Sequence, residues 1–425
     1  MVFIISVVFA ILIYAHFYRL TKDSLNPFGI SISFYLAMYG LSTLNLSIYQ
    51  NGMLIKTHLL LLIPMISIFL IGEYYCSRFR NTFREYDELP EITMNYRIFM
   101  TIICIMSLLC VAYLVVTRGI MLSLEIGVNG ALNDRKGTIG EQMYGGSGIV
   151  GRFAQLFPYT LVFVMYDYIF DLFGSKTKKI LELIYCALCV LYSLFVLASR
   201  GTLLLPIIAV LYLLNKKYHF KPITLGIVLI GVVIAFTSYM TLRVTPGSEV
   251  FSGTGITNKT FNSIYNYFAL SFNNFDMLVR NGSPMTGIQY SLISLSKILG
   301  IYNPSNLLQY KTDFFNSRVF IYGFYHDLGL FGVILWPIII YVLIGWLYAF
   351  TRKKHPEMIL LLGMYGKAIF VMSFGNYFFQ SFSDEFQYYI CIILLVLGYK
   401  TRMIVARKVV FKLEKAQKLR IRGIR

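Results

Sequence analysis

Residues 328–350 read Leu-Gly-Leu-Phe-Gly-Val-Ile-Leu-Trp-Pro-Ile-Ile-Ile-Tyr-Val-Leu-Ile-Gly-Trp-Leu-Tyr-Ala-Phe, an apolar run without a charge. At about 1.5 Å per helical residue, such a run crosses a hydrocarbon core of about 30 Å. Directly before it stands Tyr325-His326-Asp327, the end of a long polar stretch that opens with Arg243-Val244-Thr245-Pro246-Gly247. A second apolar run, 223–242, precedes that stretch, so a polar loop is pinned between two spans. Similar runs recur along the chain, which is 57% hydrophobic and 14% charged, where soluble domains carry about a quarter charged residues. The sequence therefore predicts an all-α, polytopic integral membrane protein, a single transmembrane domain over residues 1–425.

Eleven spans are predicted near 2–18, 28–46, 57–75, 98–117, 149–173, 180–198, 202–214, 223–242, 328–350, 358–378 and 387–405. Residues 2–18 read as the first span rather than a cleavable leader, with no basic flank before and no small-residue cleavage site after. The net charge is +18, but Lys and Arg concentrate in alternate connections and in the tail 400–425, which holds ten. Those segments are predicted to face the cytoplasm, with anionic membrane lipids as the tail's partner. No module that reads DNA or RNA is present, so nucleic acid is excluded as a partner. The six cysteines fall in or beside apolar runs, and Cys186 and Cys189 read as helix packing. No cluster has metal-ligand spacing, so neither metal nor cofactor is expected.

This topology leaves two large outer loops, 118–148 and 243–327. Loops of such length are seldom without function. The second carries Phe261, Ile264, Phe268, Phe272, Phe275 and Val279 at the spacing of one helix face. Asn262, Ser263, Asn266, Asn273, Asn274 and Asp276 take the other side. A second amphipathic piece follows with Ile288, Leu292, Leu295 and Leu299. Such helices either lie in the membrane interface or pack on the spans as a cap.

Outer arginines are few. Arg200 sits in the tight turn Ser199-Arg200-Gly201, Arg243 emerges at a span end, and Arg318 stands shortly before the return into the membrane. Guanidinium groups at headgroup depth would grip phosphate oxygens in a bidentate fork. His326 beside Asp327 offers a candidate general base. Arg135, Arg280, Asn316, Glu249, Tyr322 and Tyr325 are candidate substrate contacts, and Tyr265, Asn266 and Tyr267 either join them or pack the cap. Lys367 lies within a predicted span, either as a functional charge or in an ion pair with Asp167, Asp171 or Glu182.

The Ser-Arg-Gly turn, the large loop entered through Arg243, and the exit pattern acidic-x-Gly-x-x-Gly (Asp327, Gly329, Gly332) resemble the O-antigen polymerase and O-antigen ligase superfamily. Polymerases of this kind also carry Arg-x10-Gly in two outer loops. Arg135 to Gly146 and Arg318 to Gly329 fit that spacing; Arg352 to Gly363 fits too, on the inner side. Ligases carry a histidine about nine residues before the acidic pattern, where this chain has Arg318, so the resemblance favours polymerase. It implies a GT-C-like fold in a bacterial cytoplasmic membrane with the active site facing outward. The implied donor is an undecaprenyl-diphosphate-linked oligosaccharide, used without metal, with Arg200, Arg243 and Arg318 on the diphosphate. A chain-length regulator and a flippase of the same pathway are the implied protein partners. The alternatives are a ligase, which differs in acceptor, and a non-enzymatic glycolipid flippase.

Overall fold

The computed structural model describes residues 1–47, 49–78, 89–117, 148–171, 174–196, 200–228, 230–231, 259–303, 305, 318–353, 355–373, 375–376, 378 and 386–397. Among these residues the chain is helical and no strand occurs. In order the helices are α1 (Val2–Thr21), α2 (Pro27–Ser42), α3 (Ile55–Arg78), α4 (Met94–Thr117), α5 (Gly148–Phe170) and α6 (Lys176–Leu191). A π-helical turn, Tyr192–Val196, prolongs α6. Then come α7 (Arg200–Tyr218), α8 (Lys259–Asn281), α9 (Ile293–Ile298), α10 (Tyr322–Lys353), α11 (Ile359–Phe370) and α12 (Phe386–Leu397). Among the described residues five helices are long and apolar enough to cross a membrane: α1, α3, α4, α5, and α10 over Tyr322–Arg352. The all-α, membrane class read from the apolar runs therefore holds.

Local chemistry sets the helix ends. Asn26 caps α2, its Oδ1 accepting from Phe28 N and Gly29 N at 3.0 Å each, with Pro27 at the first helical position. Ser175 caps α6 by accepting from Lys178 N. α2 packs against α1, α3 and α8, and α10 packs along α3.

A buried ionic clamp closes one end of the bundle. Asp23, between α1 and α2, pairs with Arg352 at the end of α10 (2.5 Å) and accepts from Tyr348 Oη (2.9 Å) and Asn215 Nδ2 (2.7 Å). Burial pushes the Asp23 carboxyl up. Arg352 and the hydrogen bonds from Tyr348 and Asn215 outweigh that and hold it below the usual carboxylate range.

At the opposite end of α10 lies α8, whose apolar face packs as its spacing predicts: Phe272 against Tyr35, and Phe275 against Tyr325. Its polar side is also covered, since Asn266, Asn273, Asn274 and Asp276 are all buried. The connection between α2 and α3 covers part of it. Asn51 N donates to Asn273 Oδ1 and Asn273 Nδ2 to Tyr49 O, while Asp276 Oδ1 accepts from Leu54 N (2.9 Å) and Thr57 Oγ1 (2.5 Å). Backbone amides of a short connection thus satisfy side chains that the sequence pattern only sets opposite the apolar face.

Candidate functional site

The site is built on a break in α10. The predicted span starts at 328, but the helix begins at Tyr322, runs to a break at Gly329 (φ 58°, ψ −139°), and resumes. Only glycine takes that backbone geometry without strain. Three residues on, a side chain at Gly332 would stand 2.1 Å from the Phe324 carbonyl oxygen, so the first turn of the resumed helix lies directly on the segment before the break. Both glycines of the exit pattern are therefore explained by the path of the backbone.

The break leaves the last carbonyls before it without helical partners, and residues 283–287 take up two of them. Met285 N and Ser283 Oγ donate to His326 O, and Gly287 N donates to Asp327 O. The Asp327 side chain fastens the same segment from the other side. Its Oδ2 accepts from Ser291 N and Ser291 Oγ at 2.6 Å each. Its Oδ1 accepts from Thr286 Oγ1 at 2.5 Å, and Tyr290 N lies 3.0 Å from both oxygens.

His326 sits beside this knot, fully buried. Its Nδ1 lies 3.0 Å from Thr286 Oγ1 and 3.3 Å from Asp327 Oδ1. The single Thr286 hydroxyl proton is given to Asp327, so towards His326 that oxygen can only accept. The hydrogen-bond network thus assigns the imidazole proton to Nδ1. Nε2 is left as a buried acceptor with no hydrogen-bond partner among the described residues.

Tyr290 joins the imidazole to an arginine. Its ring centroid is 4.9 Å from that of His326 and 5.6 Å from that of Tyr322. Arg318 donates to Tyr290 Oη, and its guanidinium lies 5.7 Å from the Tyr290 ring centroid and 5.0 Å from that of Tyr322. Burial pushes the Tyr290 phenol up and Arg318 offsets this only in part, so the phenol stays neutral.

Of the residues singled out in the sequence, His326, Asp327, Arg318 and Tyr322 are brought together here. Tyr325 points into the packing with Phe275 and is buried, as are Tyr265 and Asn266. Tyr265 Oη accepts a hydrogen bond from Leu46 N and donates one to Gln50 Oε1, tying α8 to the α2–α3 connection. None of the three offers an open face to a sugar. The Tyr267 side chain lies outside the described residues. Arg280 belongs to another cluster, where it pairs with Asp276 (2.5 Å) and donates to Gly52 O. Arg200 opens α7, but its side chain, together with Arg135, Arg243, Glu249 and Asn316, lies outside the described residues.

Lys367 is fully buried and does not join the carboxylates named for it. Asp167 and Asp171 pair with Arg97 and Lys178, and Glu182 lies near Lys178. Lys367 donates to Gln387 Oε1 and lies over the rings of Tyr159 (4.2 Å) and Tyr388 (5.3 Å). Tyr159 is more than two turns from Asp167 along α5, which puts those carboxylates out of reach.

Sequence reading missed Thr286, Tyr290 and Ser291, which order the knot. Their stretch reads as an amphipathic piece marked only by its aliphatic residues. The one available signal was Ser283, Thr286 and Ser291 clustered around Gly282 and Gly287, a composition suited to turns. Compared with protein-family models, curated proteins and solved structures, the chain matches none.

Proposed function

We propose that this chain is a metal-independent glycosyltransferase of a bacterial cytoplasmic membrane. It joins undecaprenyl-diphosphate-linked oligosaccharide units into an O-antigen- or capsule-type polysaccharide on the outer face. The observation that carries this reading is His326: Nδ1 is held by Thr286 and Asp327, Nε2 has no hydrogen-bond partner among the described residues, and Arg318 lies against the Tyr290 ring that also contacts the imidazole. A base oriented through one nitrogen, with a fixed cation close by, suits transfer of a sugar from a diphosphate leaving group. The rest of the architecture is read as eleven spans in a GT-C-like arrangement with the α8 end outside.

In the proposed step an acceptor hydroxyl oxygen attacks the anomeric carbon of the donor. The bond from that carbon to the phosphate oxygen breaks, and its electron pair leaves on undecaprenyl diphosphate. The hydroxyl proton passes to His326 Nε2. Arg318 stabilises the departing diphosphate, with Arg200 and Arg243 as further candidates. Asp327, whose two oxygens already serve four donor groups besides His326, positions the imidazole rather than accepting the proton. Nε2 is enclosed, so the hydroxyl reaches it only when the surrounding side chains part.

The test is the glycolipid content of cells lacking this chain, restored with wild type or with His326→Ala at equal protein level. Lipid-linked single repeat units accumulating in both the deletion and the variant strain support the polymerase reading. Long polymer left on undecaprenyl diphosphate would point to the ligase, and unchanged glycolipids would refute both.

A further inference from the structure

We infer that residues 283–303 are a membrane-seated element, their apolar side immersed among the lipids around the beginning of α10. This does not rest on the proposed reaction, and it holds whichever face of the membrane that end occupies. The segment is two-sided, but in the opposite sense to a water-facing loop. Several of its polar groups turn inward: Tyr290, Ser291 and Ser296 are buried, and Thr286 bonds to His326 and Asp327, while Lys297 and Asn303 stay at the surface and Gln289 partly so. Its aliphatic groups turn outward, with Met285 66%, Ile298 75% and Leu299 57% exposed.

The covering partner is indicated by continuity with the span. The exposed residues Leu330, Ile334, Ile338, Val342 and Trp346 recur every four positions along α10, forming one face of a helix long and apolar enough to cross a membrane. Such a face meets lipid. Met285 sits at its upper edge, its Cε 3.1 Å from where a side chain at Gly329 would begin, next to exposed Leu330 and Phe331. The outward residues of 283–303 therefore extend the lipid-facing surface of the span. Lys297, with Nζ 4.8 Å from the Tyr302 ring centroid, supplies the cation and aromatic pair that settle at headgroup level. Because Thr286, Tyr290 and Ser291 hold His326 and Asp327, the seating of this segment fixes the depth of the whole site.

The test uses the full chain in vesicles of phosphatidylethanolamine and phosphatidylglycerol, with an environment-sensitive fluorophore on Ile298→Cys. Ile338→Cys provides the bilayer reference, and the unsubstituted chain corrects for labelling of native cysteines. Lipids brominated on the upper acyl chain are expected to lower the Ile298 signal at least about twofold, as for an amphipathic segment at the acyl boundary, while aqueous iodide has little effect. Iodide quenching without bromolipid quenching would overturn the inference, placing the segment in water or against a partner lost on purification. Protection from both quenchers, with self-quenching between labelled copies, would also overturn it by assigning the surface to a second copy. Leu295→Cys repeats the measurement if Ile298→Cys does not fold.

Discussion

Replacing Asp327 with Asn tests the site most directly, because the exchange keeps shape and changes only what the oxygens can do. The Oδ2 position faces Ser291 N and Ser291 Oγ at 2.6 Å, and Tyr290 N at 3.0 Å. Backbone amides cannot turn away, so the Asn oxygen must occupy that position. The amino group then falls where Oδ1 stood, facing Thr286 Oγ1 and His326 Nδ1, and Tyr290 N is left to the Asn oxygen alone. A donor there favours an accepting Nδ1, which moves the imidazole proton to Nε2 and removes the base. Weakening charge-assisted hydrogen bonds that contribute about 1.5–3 kcal/mol each should lower stability by a similar few kcal/mol. Turnover should fall about 10²–10⁴-fold, the usual range for a lost general base and equal to roughly 2.7–5.5 kcal/mol in the barrier. The assay compares polymer formed at equal protein level, the melting temperature in detergent, and the His326 tautomer by nitrogen NMR of imidazole-labelled protein. A folded Asn variant that polymerises at the wild-type rate, or that keeps the proton on Nδ1, would refute the assignment of tautomer and base.

Arg318→Lys keeps the charge but loses the flat group lying over Tyr290 and Tyr322; turnover is expected to fall at least about tenfold, or about 1.4 kcal/mol. Unchanged turnover would leave Arg318 as a clamp between two rings. Gly332→Ala forces a carbon against the Phe324 carbonyl and should destabilise the protein by about 1–3 kcal/mol, read as a lower melting temperature; a variant as stable as wild type would contradict that close approach. For Asp23 the sign follows from a folded-state pKa below the unfolded value of about 3.9. Its contribution is complete above that value and lost as pH falls through the folded pKa. Asp23→Asn should therefore melt lower at pH 7 by an amount equivalent to about 3–5 kcal/mol, and lose less than wild type on acidification. Parallel melting-temperature curves for the two proteins would argue against the clamp.

The membrane class was readable because bilayer hydrocarbon imposes a length and an apolarity that a sequence displays directly, as α10 does. The glycines of the exit pattern were visible as a motif, but not as a break and a backbone contact. Their meaning depends on residues 283–291, which meet them only in the folded chain. The buried polar side of α8 shows the same limit. Periodicity separates the two sides of a helix without telling what covers either one. Tyr290 escaped notice for a related reason, since its importance lies in being between His326 and Arg318 rather than in its own surroundings in the sequence.

The docking of α8 on the α2–α3 connection also constrains the order of assembly. Asn51 and Leu54 donate to side chains 222 positions further along the chain. At synthesis rates of about 5–20 residues per second, those amides wait on the order of 10–40 s for their partners. During that interval the donors of the connection must be satisfied by solvent, with α2 and α3 already formed on either side of it. The first 78 residues thus serve as a template on which a later segment completes its fold. A slowed or misplaced early hairpin would be felt as failure of α8, far downstream of the defect.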